Sequence, residues 1–122
     1  MSKILIIEDE ESIRRVLNKV LIQENKTYNI FEAIDGVDGI SKINSSKFDL
    51  ILCDIKMPKK DGIEVLKHVL KECPNTPAIM ISGHGDLETA VESMRLGAFD
   101  YISKPPDLNR LLNSVRSALL NN

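Results

Sequence analysis

Short apolar runs and longer stretches with helical spacing alternate along the chain. Unbroken runs stand at residues 4–7, 50–53 and 78–81, with weaker ones at 28–33 and 101–103. Their length and β-branching predict strands, and their lack of polar alternation predicts strands covered on both faces. Between them, Ile13, Val16, Leu17, Val20 and Leu21 recur at i, i+3, i+4, i+7 and i+8. The same period returns in Val37, Ile40 and Ile43, in Ile63, Leu66 and Leu70, in Leu87, Ala90, Val91 and Met94, and in Leu108, Leu111, Leu112, Val115 and Leu119. Five amphipathic helices follow. Gly36, Gly62, Gly83, Gly85 and Gly97 fall near the proposed helix ends, Asp86 and Asp107 are candidate N-caps, and all five prolines lie outside helix interiors. Five βα units in succession predict an α/β, doubly wound domain with a parallel sheet and helices on both faces.

Composition narrows the class without changing that picture. The chain has 122 residues, 43% of them apolar, which suits a single domain spanning residues 1–122. Sixteen basic and eighteen acidic residues leave a net charge of -2, with no basic footprint for nucleic acid or an anionic membrane. Cys53 and Cys73 follow no zinc-ligand spacing and read as packed, reduced thiols. The N-terminus lacks a signal-peptide core and no run reaches membrane-spanning length, so a cytoplasmic location is expected.

In an open α/β sheet the crevice lies outside the strand C-terminal ends, so the residues just after each run belong together. These are Glu8, Asp9 and Glu10 after the first, Asp35 after the second, Asp54 after the third, Ser82 after the fourth and Lys104 after the fifth. Asp35, ahead of Gly36, needs only a turn. Each of the others also has a plain reading: acids favoured at a helix N-terminus, a turn aspartate, a surface lysine. Their joint occurrence at four of five strand ends favours a site. Three carboxylates held together repel unless a cation joins them, and oxygen-only ligands suit a hard ion such as Mg²⁺.

The segments "ILIIEDE", "ILCDIKMPKKDG", "IMISGHG" and "GAFDYISKP" occur in this order across residues 4–105. Together they resemble the receiver domain of bacterial response regulators. The resemblance implies a flavodoxin-like sheet of order 2-1-3-4-5 and a phosphoacceptor role for Asp54, modified by a sensor histidine kinase in a Mg²⁺-dependent reaction. It further implies that Asp9, Asp54 and the backbone carbonyl of Lys56 hold the metal, with Glu8 acting mainly through bound water. Lys104 and Ser82 would contact phosphoryl oxygens, and Lys104-Pro105 would be a cis peptide. Ser82 and Tyr101 are the implied switch residues, and Met94, Arg95, Leu96, Asp100 and Tyr101 lie on or near the implied output face.

Several positions depart from the usual pattern. Glu8 replaces a more frequent Asp, Pro106 replaces an apolar residue, and Lys56 and His84 occupy positions that in this family influence phosphate lifetime. His68 reads as a helix-surface residue. The domain is expected to catalyse only its own phosphorylation and dephosphorylation. Expected partners are the kinase and, on phosphorylation, a second copy of the domain. The stretch from Gly83 to Pro105 looks most like receivers that precede enhancer-binding transcription activators, with a stand-alone regulator as the alternative. A haloacid-dehalogenase-type phosphatase would want a second acid where Lys56 stands, and a flavin carrier would want hydroxyl and glycine donors where the first loop has acids.

Overall fold

A computed structural model describes residues 2–57, 59–83 and 87–120. His84 and Asp86, expected as a lifetime residue and an N-cap, lie outside the described residues, as do Pro58 and Gly85. Five strands alternate with five helices: β1 (Lys3–Ile7), α1 (Glu11–Glu24), β2 (Asn29–Ala33), α2 (Gly36–Ser45), β3 (Leu50–Asp54), α3 (Gly62–Glu72), β4 (Ala78–Ser82), α4 (Leu87–Leu96), β5 (Asp100–Ser103) and α5 (Leu108–Leu120). Every strand pair is parallel, and the order is β2-β1-β3-β4-β5.

The period-two geometry of the strands splits the core in two. Leu5, Ile7, Ile51, Cys53, Ala78 and Met80 point to one face, where Ile43, Ile63, Leu66 and Val69 from α2 and α3 cover them. Ile4, Ile6, Leu50, Leu52, Ile79 and Ile81 point to the other, under Leu17 and Leu21 of α1 and Leu111 and Val115 of α5. Unbroken apolar runs were therefore needed: both parities of β1, β3 and β4 are buried. At roughly 1.5–3 kcal/mol per fully buried large side chain, these three strands anchor the sheet and hold its ends still.

Helix boundaries follow local chemistry. Asp35 and Asp61 cap α2 and α3 by accepting from the Asp38 and Glu64 amides, and Asp107 Oδ1 accepts from Asn109 and Arg110, as its position predicted. Gly97, at φ +126°, ends α4 in a conformation that few other residues tolerate. Helical spacing overstated burial on α4, however. Leu87 is 72% exposed, Val91 47% and Met94 45%, so their shared i, i+4, i+7 face is left to solvent. His68 also differs from expectation: it is half-buried, with Nε2 2.8 Å from Asn44 Oδ1, and ties α3 to α2. Cys53 and Cys73 are both free of disulfides, and burial pushes both thiols up.

A polar brace fastens β5 to α5. Both nitrogens of the Arg110 fork donate to Asp100, at 2.7 and 2.8 Å, and Ser114 Oγ donates to the same carboxylate at 2.7 Å. The Arg110 contact holds Asp100 down at about 2, against a partial opposing effect of burial. A folded value below the ordinary 3.8 means that this stability is complete above about pH 4 and is lost as pH falls through about 2. Asp100→Asn is therefore expected to cost about 1 kcal/mol near neutral pH, allowing for solvent screening at the half-exposed Arg110. Urea unfolding of both proteins between pH 7 and pH 3 reads this out. A gap between them that fails to narrow with acid contradicts the assignment.

Candidate functional site

Parallel strands place their C-terminal ends on one edge of the sheet, and that edge collects the predicted residues. Glu8 and Asp9 follow β1, Asp54 ends β3, Ser82 ends β4 and Lys104 follows β5. Ser82 lies beside Ser103 in the β4–β5 register, and the Lys104 amide donates to Ser82 O at 2.7 Å. The Lys104-Pro105 peptide is cis, as the resemblance implied.

Glu8, Asp9 and Asp54 each offer a carboxylate oxygen within 4.8 Å of the other two. They are the one group of three metal-capable side chains among the described residues. Glu8 and Asp54 are buried, at 1% and 4% exposure, whereas Asp9 is exposed. The Lys104 ammonium stands 2.9 Å from Glu8 Oε1 and 3.2 Å from Asp54 Oδ2. Glu8 Oε1 is buried, with this ion pair and no hydrogen bond of good geometry.

The electrostatics follow from that burial. Loss of water pushes Glu8 up to about 7, with the Asp54 charge adding to it and Lys104 opposing. Burial also raises Asp54, with Lys104 again opposing and Asp9 adding. Burial alone would lower Lys104, but its two carboxylates outweigh this and raise it. Three carboxylates against one ammonium leave a formal charge of -2, which a divalent cation would balance. All-oxygen donors and a buried Glu8 oxygen lacking a hydrogen bond fit a hard ion of the Mg²⁺ type.

The remaining predicted residues divide by position. Lys56 sits two residues past Asp54 with an exposed side chain, and Tyr101 is half-buried on β5. Arg95 and Leu96 are exposed with Met94 on α4, whereas Asp100 is engaged by Arg110. Asp35, read as a turn residue, is buried as the α2 cap and stands 3.5 Å from Lys59. A cavity of about 790 Å³ lies at the opposite end of the sheet, near Phe48 and Cys73, and is lined by none of these residues.

Sequence reasoning missed Arg14. Its Nε donates to Glu32 Oε1 at 3.0 Å, and its NH1 donates to the Glu8 carbonyl at 2.9 Å. The only sequence signal is an arginine in the first turn of an amphipathic helix, which by itself reads as solvated surface. Its role depends on β2 lying beside β1, with Glu32 opposite Ile6.

Comparison with known proteins decides the family. The model of the response regulator receiver domain matches residues 4–116. The chain belongs to the response regulator receiver domain family. Among curated relatives it is 35% identical over 114 residues to the DNA-binding transcriptional regulator NtrC of Proteus hauseri, covering 93% of this chain and 24% of that protein. It is 38% identical over 119 residues to the response regulator ArlR of Staphylococcus aureus, covering 98% and 53%. The crystal structure of the receiver domain of NtrX from Brucella abortus superposes with a TM-score of 0.91 at 35% identity, covering 98% of this chain and 99% of that one. The receiver thus spans about a quarter of NtrC and about half of ArlR. Both curated relatives are regulators, and the match favours neither the phosphatase nor the flavin-carrier alternative. Among the described residues no helix is long and apolar enough to cross a membrane.

Proposed function

We propose that this receiver is the phosphoacceptor of a two-component pathway, taking a phosphoryl group from a sensor histidine kinase onto Asp54. The observation that supports this best is the convergence of Glu8, Asp9 and Asp54 within 4.8 Å, with Lys104 3.2 Å from Asp54. In the reaction an Asp54 carboxylate oxygen attacks phosphorus as the bond from phosphorus to the kinase imidazole breaks. The electron pair returns to the ring nitrogen, and an acyl phosphate remains. Lys104, held between two carboxylates at the rim, binds one phosphoryl oxygen, and the Ser82 hydroxyl donates to another.

Asp9 and Asp54 would hold Mg²⁺ directly, with Glu8 behind them and the Lys56 carbonyl completing the protein donors. An ion held by these residues would supply the positive charge that offsets the charge developing on the phosphoryl oxygens. Burial of Glu8 and Asp54 excludes bulk water and strengthens each of these electrostatic contacts. The same site would release phosphate to water at a rate tuned by the Lys56 and His84 side chains, so turnover is confined to the domain's own phosphate.

The phosphoryl group, which carries about -1.5 to -2 charges in place of the carboxylate's single one and brings new acceptor oxygens, would draw Ser82 inward and Tyr101 after it. The altered face includes Met94, Arg95, Leu96, Asp100 and Tyr101, and the exposed apolar strip of α4 supplies a surface for a second copy of the domain. The expected setting is cytoplasmic and the expected output is control of transcription.

The test incubates the chain with a phosphorylated histidine kinase, with and without Mg²⁺. A hydroxylamine-labile phosphoryl group on Asp54 that requires the divalent ion is the expected result. Ser82→Ala should still accept phosphate but fail to pass the change to Tyr101, followed by its ring NMR signals. Label on another residue, or labelling unaffected by a chelator, sinks the proposal.

A further inference from the structure

We propose that Arg14 is a positioning residue for the acidic pair: its guanidinium fastens the peptide between Glu8 and Asp9 to β2 and so presets the carboxylate cluster for a divalent cation. The inference rests on the metal reading above. Glu8, Asp9 and Asp54 carry like charges at close range and favour splaying apart, and Asp9, exposed on a loop, has the least to hold it. Something on the protein side has to resist that.

Three contacts do so, tying the peptide to β2 directly and through Arg14 of α1. The Glu8 amide donates to Ala33 O at 3.1 Å. The Glu8 carbonyl accepts from Arg14 NH1 at 2.9 Å, and Arg14 Nε is tied in turn to Glu32 Oε1 at 3.0 Å. Asn18 Nδ2 holds the other Glu32 oxygen at 2.6 Å, so the carboxylate that anchors Arg14 is itself fixed. The carbonyl of Glu8 and the amide of Asp9 belong to one planar peptide, so orienting one orients the other and sets the direction from which Asp9 departs.

Arginine suits this task and lysine does not. The rigid fork presents two donors at a fixed separation to two acceptors on different elements, whereas a single ammonium reaches one of them. The Arg14 side chain is only 13% exposed, so its contacts are little weakened by water. Fixing a metal ligand through the group behind it is the ordinary work of outer-sphere partners, whose removal costs about 10–100-fold in metal affinity.

The experiment is calorimetric titration of MgCl₂ into the 122-residue chain, with no phosphodonor present. Wild type, Asp9→Asn, Arg14→Ala, Arg14→Lys and Glu32→Gln are compared, with metal-free thermal midpoints measured alongside. Arg14→Ala should weaken Mg²⁺ binding about 10-fold, Arg14→Lys should recover only part of that, and Glu32→Gln should weaken it about 3-fold in a fold that keeps its Asn18 contact. Lowered midpoints with Mg²⁺ affinity within about twofold of wild type in every Arg14 and Glu32 variant would make the network merely structural and overturn the proposal. If Arg14→Ala does not fold, Glu32→Gln and Arg14→Lys decide the matter on the same criterion. Wild type and Asp9→Asn giving identical titrations would instead remove the metal reading, and this inference with it.

Discussion

Gly62→Ala is expected to lower the thermal midpoint by roughly 10 °C, corresponding to about 3 kcal/mol in a domain of this size. A Cβ at Gly62 would run into the Asp54 carbonyl oxygen and sit 2.6 Å from Ile55 Cα. Both atoms are backbone, at the end of a strand buried at every position, and the Gly62 amide already donates to Ile55 O at 2.7 Å. Alanine's better helix propensity recovers about 1 kcal/mol at most, so the clash wins. Gly39 provides the control. A Cβ there meets Ile7 Cδ1 at 2.6 Å, a buried side-chain atom that can give by repacking where backbone cannot, and Gly39→Ala should cost less. Because Gly62 bears on the Asp54 peptide itself, its alanine variant should also accept phosphate poorly even where it remains folded. Calorimetric melts showing equal midpoints for the two variants would refute the close-packing argument.

Asp54→Asn is expected to gain stability while losing its response to Mg²⁺. Burial and the neighbouring Asp9 disfavour the Asp54 carboxylate, with Lys104 offsetting only part of that cost. A neutral isostere removes one of three like charges and leaves Lys104 paired to Glu8 at 2.9 Å. In chelator the variant should therefore be more stable than wild type by about 1 kcal/mol at neutral pH. Saturating Mg²⁺ reverses the order. At a concentration about 100 times its dissociation constant, an ion that binds only the folded state adds about 2.7 kcal/mol, and a site lacking one direct ligand receives much less. Paired melts in chelator and in Mg²⁺ check both halves, and a variant less stable than wild type in chelator contradicts the electrostatic reading. Phosphoryl acceptance from a kinase is lost in the same protein, since no other carboxylate in the cluster ends β3.

The two expectations show the same edge of the sheet held from opposite sides. Gly62 brings the start of α3 against the back of Asp54, so the carboxylate cannot retreat from the cluster. Lys104 faces it from β5 at 3.2 Å. In the phosphoacceptor role proposed above, a carboxylate confined in this way would need little reorganisation before in-line attack, which is where positioning lowers a barrier. The brace between Asp100 and Arg110 belongs to the same design, fixing the strand that delivers Lys104 and Tyr101.

The order and type of all ten elements were legible in the chain because two patterns differ plainly: short apolar runs, unbroken in β1, β3 and β4 and weaker in β2 and β5, and spacing near 3.6 in the stretches between. Asp54, Ser82 and Lys104 were legible as a set because parallel strands are bound to bring their C-terminal ends to one edge, so position after a run is itself spatial information. Burial on α4 was not legible in the same way. Leu87, Val91 and Met94 repeat with helical spacing, but whether an apolar face meets the sheet or solvent depends on how the helix is rotated as it docks. The cap at Asp107 was local and readable, whereas the roles of Gly62 and Arg14 were not, since each depends on a distant stretch of backbone arriving within bonding or clashing distance. The sequence by itself determined which groups would gather at the sheet's edge. Only the tertiary structure decided what holds them there, because like charges converge only when packing and hydrogen bonds from other elements, such as Arg14 on α1, Glu32 on β2 and Gly62 on α3, oppose their repulsion.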